Sequence, residues 1–118
     1  MQKKVYPFKK ENRLKSKKSF QFVYAKGHSY VDGMSVLYVL PGQKEEIKLG
    51  CAVGKKLGCA VVRNHIKRLM RETFRKHNSE IKKGYHIIWM ARRNIVEADF
   101  LTYEKVFLRL MKRAALLQ

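Results

Sequence analysis

The stretch from Ala60 to His77, AVVRNHIKRLMRETFRKH, decides how this chain folds. At the ~100° per residue of an α-helix, its residues separate into an apolar stripe and a neighbouring basic arc. The stripe holds Val62, Ile66, Leu69, Met70, Thr73 and Phe74, and the arc holds Arg63, Asn64, Lys67, Arg68, Arg71 and Arg75. Like charges four residues apart destabilise a helix unless a partner neutralises them. We therefore expect one side of the helix to enter a core and the other to bind a polyanion.

The whole chain shares this positive charge. Its 118 residues suit one domain, and a hydrophobic fraction of 46% is typical of a globular protein. Lysine and arginine number 27 against 9 acids, a formal charge of +18, which favours nucleic acid as the partner. An anionic membrane surface is the competing partner, but the apolar stripes are needed for a core. We expect a single nucleic-acid-binding domain over residues 1–118.

The two cysteines and the start of the chain bear on the compartment. Cys51 and Cys59 match no zinc-binding pattern and form no disulfide framework, so a reducing cytoplasm is the expected location. The first residues, MQKKVYPFKK, lack the apolar run of a signal peptide. No segment approaches the roughly 20 apolar residues of a membrane span.

The N-terminal part predicts a basic arm followed by a short helix. Residues 1–15 are expected to be mobile when free and to order on an RNA or DNA surface, with a solubilising tail as the alternative. Ser16 is placed to cap a helix ending at Lys26, with Gly27 as a left-handed C-terminal residue. Aromatic side chains share one face of this helix. They either belong to the core or stack on unpaired bases.

The middle of the chain predicts strands. Residues 29–40 are strand-like with a turn or bulge at Asp32-Gly33, and residues 41–46 are expected to form a hairpin loop to a return strand over 47–53. Small residues on one face of that strand, such as Gly50, allow a helix or a nucleic-acid backbone to approach closely.

The rest of the chain predicts one more strand and one more helix. The apolar run Tyr85 to Ala91 is expected to be a central strand. Thr102 is the expected cap of a last helix reaching about Leu116, with Asp99 as the alternative start. The elements together predict an α+β sandwich of one sheet with helices.

The sequence offers no set of residues that predicts protein-borne catalysis or a metal site. The acids are scattered, and no HExxH or GxSxG motif occurs. The four histidines are also dispersed, and His86, within an apolar strand, is expected to be a buried imidazole. A metal-independent ribonuclease of two histidines and a lysine remains a competing hypothesis. Binding is the stronger prediction.

The segment Lys55 to Arg71, KKLGCAVVRNHIKRLMR, resembles the signature of the bacterial ribonuclease P protein subunit. The matching residues are Lys55, Lys56, Gly58, Ala60, Val61, Arg63, Asn64, Lys67, Arg68 and Arg71. The likeness extends to Asn12-Arg13-Leu14, Phe20 and Tyr24, Lys26-Gly27, Val36-Leu37-Tyr38, Leu49-Gly50 and Ala91-Arg92. It therefore runs along most of the chain.

This resemblance implies a fold, partners and site residues. The fold would be an αβββαβα sandwich with a mixed sheet and a left-handed crossover carrying the basic helix. The partner would be the ribonuclease P RNA, which cleaves precursor tRNA at its 5′ end with Mg²⁺ bound mainly by that RNA. Docking on the RNA would involve Lys55, Lys56, Arg63, Asn64, His65, Lys67, Arg68 and Arg71. The single-stranded 5′ leader of precursor tRNA would lie in a cleft at Arg13, Lys15, Phe20, Tyr24 and Tyr38.

One residue departs from the family pattern. His65 stands where the family's Arg-Asn-Arg motif has its second arginine, and an imidazole carries less positive charge than a guanidinium near neutral pH. His65 is either a tolerated variant or a sign of slightly different docking. The alternative function is a generic basic RNA-binding or ribosomal-type protein with no processing role.

Overall fold

A computed structural model describes residues 12–118 of the chain. The helices are α1 (Lys17–Lys26), α2 (Ala60–His77) and α3 (Phe100–Arg113), and the strands are β1 (His28–Val31), β2 (Ser35–Pro41), β3 (Ile47–Ala52) and β4 (Tyr85–Ala91). Single 3-10 turns at Lys55–Leu57, Asn78–Glu80 and Arg93–Ile95 lie between these elements. The order αβββαβα confirms the expected α+β architecture.

The sheet is mixed, with the strand order β1-β2-β4-β3. The β2–β4 pair is antiparallel and the β3–β4 pair is parallel. The expected hairpin between neighbouring strands across residues 41–46 is therefore wrong, because β4 lies between β2 and β3. The apolar β4 needs cover on both faces and both edges, which only a central position supplies. The connection from β3 to β4 passes through α2, and its left-handed sense stays a prediction from the resemblance.

The sheet has a different helix layer on each face. The larger core lies between the sheet and helices α2 and α3, and it centres on Trp89, whose Nε1 donates to Ser35 Oγ at 2.8 Å. The Trp89 ring lies 5.0 Å from that of Phe107 on α3. The smaller core lies under α1 and contains Leu14, Val23 and Ile88. Helix α1 is thus held by a smaller core than α2 and α3, and partly buried side chains surround that core.

Residues 12–14 follow the outer edge of β3. The Leu14 amide donates to the Leu49 carbonyl at 3.0 Å, and Asn12 Nδ2 donates to the Ile47 carbonyl at 3.1 Å. This part of the predicted N-terminal arm therefore has backbone partners on an edge that would otherwise be open. Residues 1–11 lie outside the described residues, and the mobility of the arm stays a prediction.

The capping predictions had mixed outcomes. Ser16 caps α1 as expected, because its side chain accepts from the Ser19 amide at 3.0 Å. The last helix begins at the alternative cap, where the Asp99 carboxylate accepts from the Thr102 amide at 2.9 Å. Thr102 also donates its hydroxyl to that carboxylate, so Thr102 is the capped residue and not the cap.

Gly27 ends α1 for a different reason from the one expected. Its φ of −80° is not left-handed. An added Cβ would lie 2.6 Å from the Val23 carbonyl oxygen and 2.9 Å from that of Val39. Glycine is required there because the chain passes from α1 into β1 in close contact with the backbone of Val39 on β2.

We expect Gly27→Ala to lower the free energy of unfolding by about 1–2 kcal/mol, because the two carbonyl groups that meet the new methyl group are backbone. Gly33→Ala is the matched control, since nothing lies within 4 Å of the Cβ position there. Urea unfolding followed by circular dichroism measures both variants. Equal stabilities would show that α1 shifts freely against β2.

Candidate nucleic-acid interface

The side chains of the predicted basic arc of α2 all reach solvent, but some are half-buried and others are exposed. The side facing the core buries Ile66, Met70, Thr73 and Phe74. Arg63, Lys67 and Arg71 are half-buried along its flank, and Asn64, His65 and Arg68 are exposed. The structure thus brings all six predicted RNA-docking residues of this helix to one accessible side. His65 lies at the far border of that side.

A side chain of α2 holds the loop before the helix by a hydrogen bond. Lys55 and Lys56 are exposed on the 3-10 turn, and Gly58 has a φ of 150°, which L side chains rarely adopt. Arg63 Nε donates to the Gly58 carbonyl at 3.1 Å. Arg63 therefore has a structural role in addition to its predicted one, which its place in the basic arc did not reveal.

The charges on α2 are not equally available. Arg75 pairs with Glu72 at 2.6 Å, and Lys76 pairs with Glu104 at 3.0 Å. Among residues 12–118, no acid forms an ion pair with Lys67, Arg68 or Arg71. Uncompensated guanidinium and ammonium groups on one helix attract phosphate and repel each other without it.

The predicted leader-binding aromatic residues form a continuous row between α1 and the sheet. The Phe20 and Tyr24 rings are 6.3 Å apart, and the Tyr24 and Tyr38 rings meet edge to face at 4.8 Å. Burial raises the pKa of the Tyr24 hydroxyl, and the neighbouring Tyr38 raises it further. All three rings are partly exposed and also pack against the smaller core. The two interpretations of the aromatic face are thus compatible.

Phe20 also explains the small residues of β3. An added Cβ at Gly50 would lie 2.5 Å from the Phe20 ring. Of the two possibilities left open by the sequence, a helix side chain is what approaches the strand at this point.

Two cavities of about 240 Å³ each open beside residues 13–15. One is lined by Arg13, Leu14, Lys15, Phe20, Leu49, Gly50, Cys51 and Arg71, and the other by Arg13, Leu14, Lys15, Ser16, Ser19, Lys48 and His86. The first contains residues from both predicted groups, since Arg13, Lys15 and Phe20 belong to the leader set and Arg71 to the docking set.

The electrostatics of Cys51 also bring together cations of the leader set and of the docking set. Burial raises the pKa of its thiol to about 12, while the positive charges of Arg71, Lys67 and Arg13 act in the opposite direction. Two α2 cations and one cation of the N-terminal segment are therefore close to the same atom. The predicted docking helix and the predicted cleft form one continuous basic surface at the β3 edge.

The second cavity contains residues that the sequence interpretation did not assign. Lys48 and His86 lie on neighbouring strands and face α1. The expectation of a buried His86 is wrong, because its side chain is 26% exposed and its Nε2 lies 3.5 Å from Glu46 Oε1. The apolar neighbours of His86 along its strand suggested burial, but they could not show that α1 leaves His86 partly uncovered.

Chemically, this surface is suited to binding. Within the described ranges, no three His, Cys, Asp or Glu side chains are grouped to hold a metal ion. None of the helices in residues 12–118 is long and apolar enough to span a membrane. Guanidinium and ammonium groups beside partly exposed aromatic rings are the groups that contact the backbone and bases of single-stranded RNA.

Cys59 offers a probe of the N-terminus of α2. It is exposed, and the backbone N–H groups of Val62 and Val61 in the first turn of α2 lower the pKa of its thiol, which Arg63 lowers further. We expect iodoacetamide at pH 7.5 to modify Cys59 at least ~10 times faster than Cys51, because the thiolate is the nucleophile. A lowered pKa also means that the reaction rate of Cys59 rises at lower pH than that of free cysteine.

Peptide mass spectrometry measures both rates, with and without saturating RNA. Bound RNA should slow modification of Cys59 if the N-terminus of α2 lies in the interface. An unchanged rate in the complex would place that end of the helix outside it.

Comparisons with known proteins agree on one family. A family model described as Ribonuclease P matches residues 8–115. The chain is 36% identical over 108 residues to the ribonuclease P protein component of Clostridium botulinum (strain Langeland / NCTC 10281 / Type F), covering 91% of this chain and 97% of that protein. It is 37% identical over 107 residues to that of Caldanaerobacter subterraneus subsp. tengcongensis, covering 91% and 92%.

Solved structures give the same result. The fold matches a Staphylococcus aureus RNase P protein mutant with defective mRNA degradation activity, with a TM-score of 0.82, 35% identity and 90% coverage of each chain. It matches the RNase P protein from Thermotoga maritima with a TM-score of 0.80 and 30% identity, covering 86% of this chain and 96% of that one.

Proposed function

The chain belongs to the ribonuclease P protein family, and from this premise we propose how its surfaces divide the work of tRNA 5′ maturation. Members of this family are the protein component of the endoribonuclease that matures the 5′ end of tRNA. The partner of this chain is the ribonuclease P RNA. This identity replaces the alternative of a ribosomal-type protein without a processing role. The proposal concerns which residues meet which RNA.

The exposed side of α2 and the preceding loop dock on the ribonuclease P RNA. What supports this is the charge of Lys67, Arg68 and Arg71, which no acid of residues 12–118 pairs, on a helix whose opposite side is in the core. The loop adds Lys55 and Lys56 next to the helix N-terminus, where backbone N–H groups also favour phosphate. Phosphate contacts of this kind give affinity and salt dependence with little sequence preference.

The cleft along α1 holds the single-stranded 5′ leader of precursor tRNA. The row of Phe20, Tyr24 and Tyr38 provides ring faces and edges for bases, and Arg13 and Lys15 provide charge for the backbone. Stacking tolerates any base, which suits a factor that meets many precursors. Because Arg71 lines the same cavity as Phe20, the leader and the docked RNA would lie side by side.

The metal part of the proposal concerns the RNA. Mg²⁺ prefers oxygen ligands and keeps several waters, and RNA phosphates supply such ligands in number. We place the Mg²⁺ of the reaction mainly on the RNA partner, in a cytoplasmic ribonucleoprotein, and we assign no catalytic residue to the protein.

The observation that carries the proposal is the cavity that Phe20 and Arg71 share. Reconstitution tests it: the protein with the cognate ribonuclease P RNA should cleave precursor tRNA faster at low Mg²⁺ than the RNA alone. No stimulation would contradict the processing role. Cleavage by protein without RNA, abolished by a histidine-to-alanine change, would instead favour the protein-nuclease hypothesis.

A further inference from the structure

A third cavity, of about 350 Å³, lies at the carboxyl ends of the parallel strands β3 and β4. Its lining comes from the loops that follow these strands: Leu57 from the first, and Arg93, Asn94, Val96 and Glu97 from the second. Because the strands are parallel and Ala52 pairs with Met90, both loops leave the sheet at the same end of the strands. The carboxyl ends of parallel strands are where such sheets commonly bind ligands.

The walls of this cavity combine apolar and polar groups. Leu57 and Val96 are half-buried and pack against the main core, so the cavity has a fixed apolar side. Asn94 and Glu97 are exposed and give the rim an amide and a carboxylate. Asn94 Nδ2 donates to the Gly33 carbonyl at 3.3 Å, which restrains this side chain. A flat ligand with an apolar face and a polar edge matches such a lining.

Of the described residues, the cavity has one lining cation, Arg93, and its surroundings are basic and join the docking surface. An Arg93 guanidinium nitrogen donates to the Lys56 carbonyl at 3.3 Å, so the two loops are connected. Arg93 is the cation that lines the cavity, and the exposed Arg92, Lys55 and Lys56 are close to the lining residues Arg93 and Leu57 along the chain. The same loop leads into α2 two residues after Gly58, so an RNA on α2 passes within reach of the cavity.

We propose that this cavity holds one unstacked nucleotide of the ribonuclease P RNA, an inference that rests on the proposed function. The base lies against Leu57 and Val96, and Arg93 with the exposed cations next to the lining meets its phosphates. Glu97 accepts hydrogen bonds from the base edge. Among the four bases, guanine presents adjacent imino and amino N–H donors, which match the two oxygens of one carboxylate. The occupant is therefore an unpaired guanine.

The test is chemical probing of the cognate RNA with the full-length protein bound. Kethoxal modifies the imino and amino nitrogens of unpaired guanines, and primer extension locates each modified base. The wild-type complex should protect one unpaired guanine that is reactive in the free RNA. Glu97→Gln should restore the reactivity of that guanine and weaken RNA binding about tenfold, because it removes a charged hydrogen-bond acceptor.

Two further variants frame the result. Asn94→Ala removes the hydrogen bond to the Gly33 carbonyl that restrains the loop carrying Glu97, so it should also expose the guanine. Glu45→Gln is the matched control. Glu45 is exposed on the loop before β3, at the opposite end of the strands, and its substitution should leave the protection intact.

The outcomes separate the two levels of the proposal. If no guanine is protected, or if protection survives both Glu97→Gln and Asn94→Ala, the nucleotide site is refuted while RNA binding stands. If the wild-type protein fails to bind or to activate the RNA, the proposed function itself fails.

Discussion

Arg68→Glu should weaken binding of the ribonuclease P RNA about 100-fold at moderate salt. Arg68 is exposed midway along α2, and no acid within residues 12–118 forms an ion pair with it. A charge-assisted contact to phosphate is worth about 1.5–3 kcal/mol, and the introduced carboxylate adds repulsion. Since each ~1.4 kcal/mol is tenfold in affinity, the upper part of that range gives the expected decrease.

The salt dependence of binding distinguishes a direct contact from a general field effect. Removal of one phosphate contact should reduce the slope of log K against log[salt] by about 0.7–0.9, because fewer counterions are released. Filter binding across a salt series measures the affinity and the slope together. An unchanged slope for Arg68→Glu would mean that Arg68 faces solvent in the complex.

Two controls use the same chain. Lys105→Glu makes the same change in net charge on the exposed side of α3, so it should cost little if the effect of Arg68→Glu is local. Arg75→Ala removes a guanidinium that already pairs with Glu72, and it should weaken RNA binding less than Arg68→Ala. Circular dichroism should show unchanged folding for all of them, because each side chain lies at the surface.

The sequence predicted local structure well and strand neighbours poorly. The 60–77 helix, the strand at 85–91 and the Ser16 cap follow from periodicity and capping chemistry within one segment. The pairing of β3 with β4 depends on contacts about 40 residues apart, and alternation along a strand does not identify its neighbour. The false hairpin at 41–46 arose because a turn signal between two strands is usually local.

The candidate site shows the same division. Periodicity correctly assigned the accessible side of α2, because burial repeats with the helix. The Arg63 contact to the Gly58 carbonyl and the entry of Arg71 into the Phe20 cavity depend on how α2 packs beside β3. Likewise, Gly27 gave a correct helix end for an incorrect reason, since only the structure shows how closely it approaches Val39.

Tyr38→Ala should reduce holoenzyme binding of leader-bearing precursor tRNA about 30-fold and leave binding of mature tRNA nearly unchanged. A base stacked on an aromatic side chain contributes about 1–3 kcal/mol, and mature tRNA has no leader to stack. Tyr38→Phe keeps the ring and its edge-to-face contact with Tyr24, so it should retain most of the affinity.

The competing explanation is that Tyr38 matters only for packing, since it also contacts the smaller core under α1. Leu40→Ala separates the two, because Leu40 lies on the same face of β2 and in the same cluster but has no ring. It should lower the unfolding free energy by about 2 kcal/mol, reduced from a full core deletion by its partial exposure, without a leader-specific decrease in affinity. Fluorescence titration of the assembled holoenzyme with both RNAs gives the ratio of the affinities for precursor and mature tRNA, which distinguishes leader binding from packing. Equal decreases for precursor and mature tRNA in Tyr38→Ala would place Tyr38 in the core and leave the leader to Phe20 and the cations beside it.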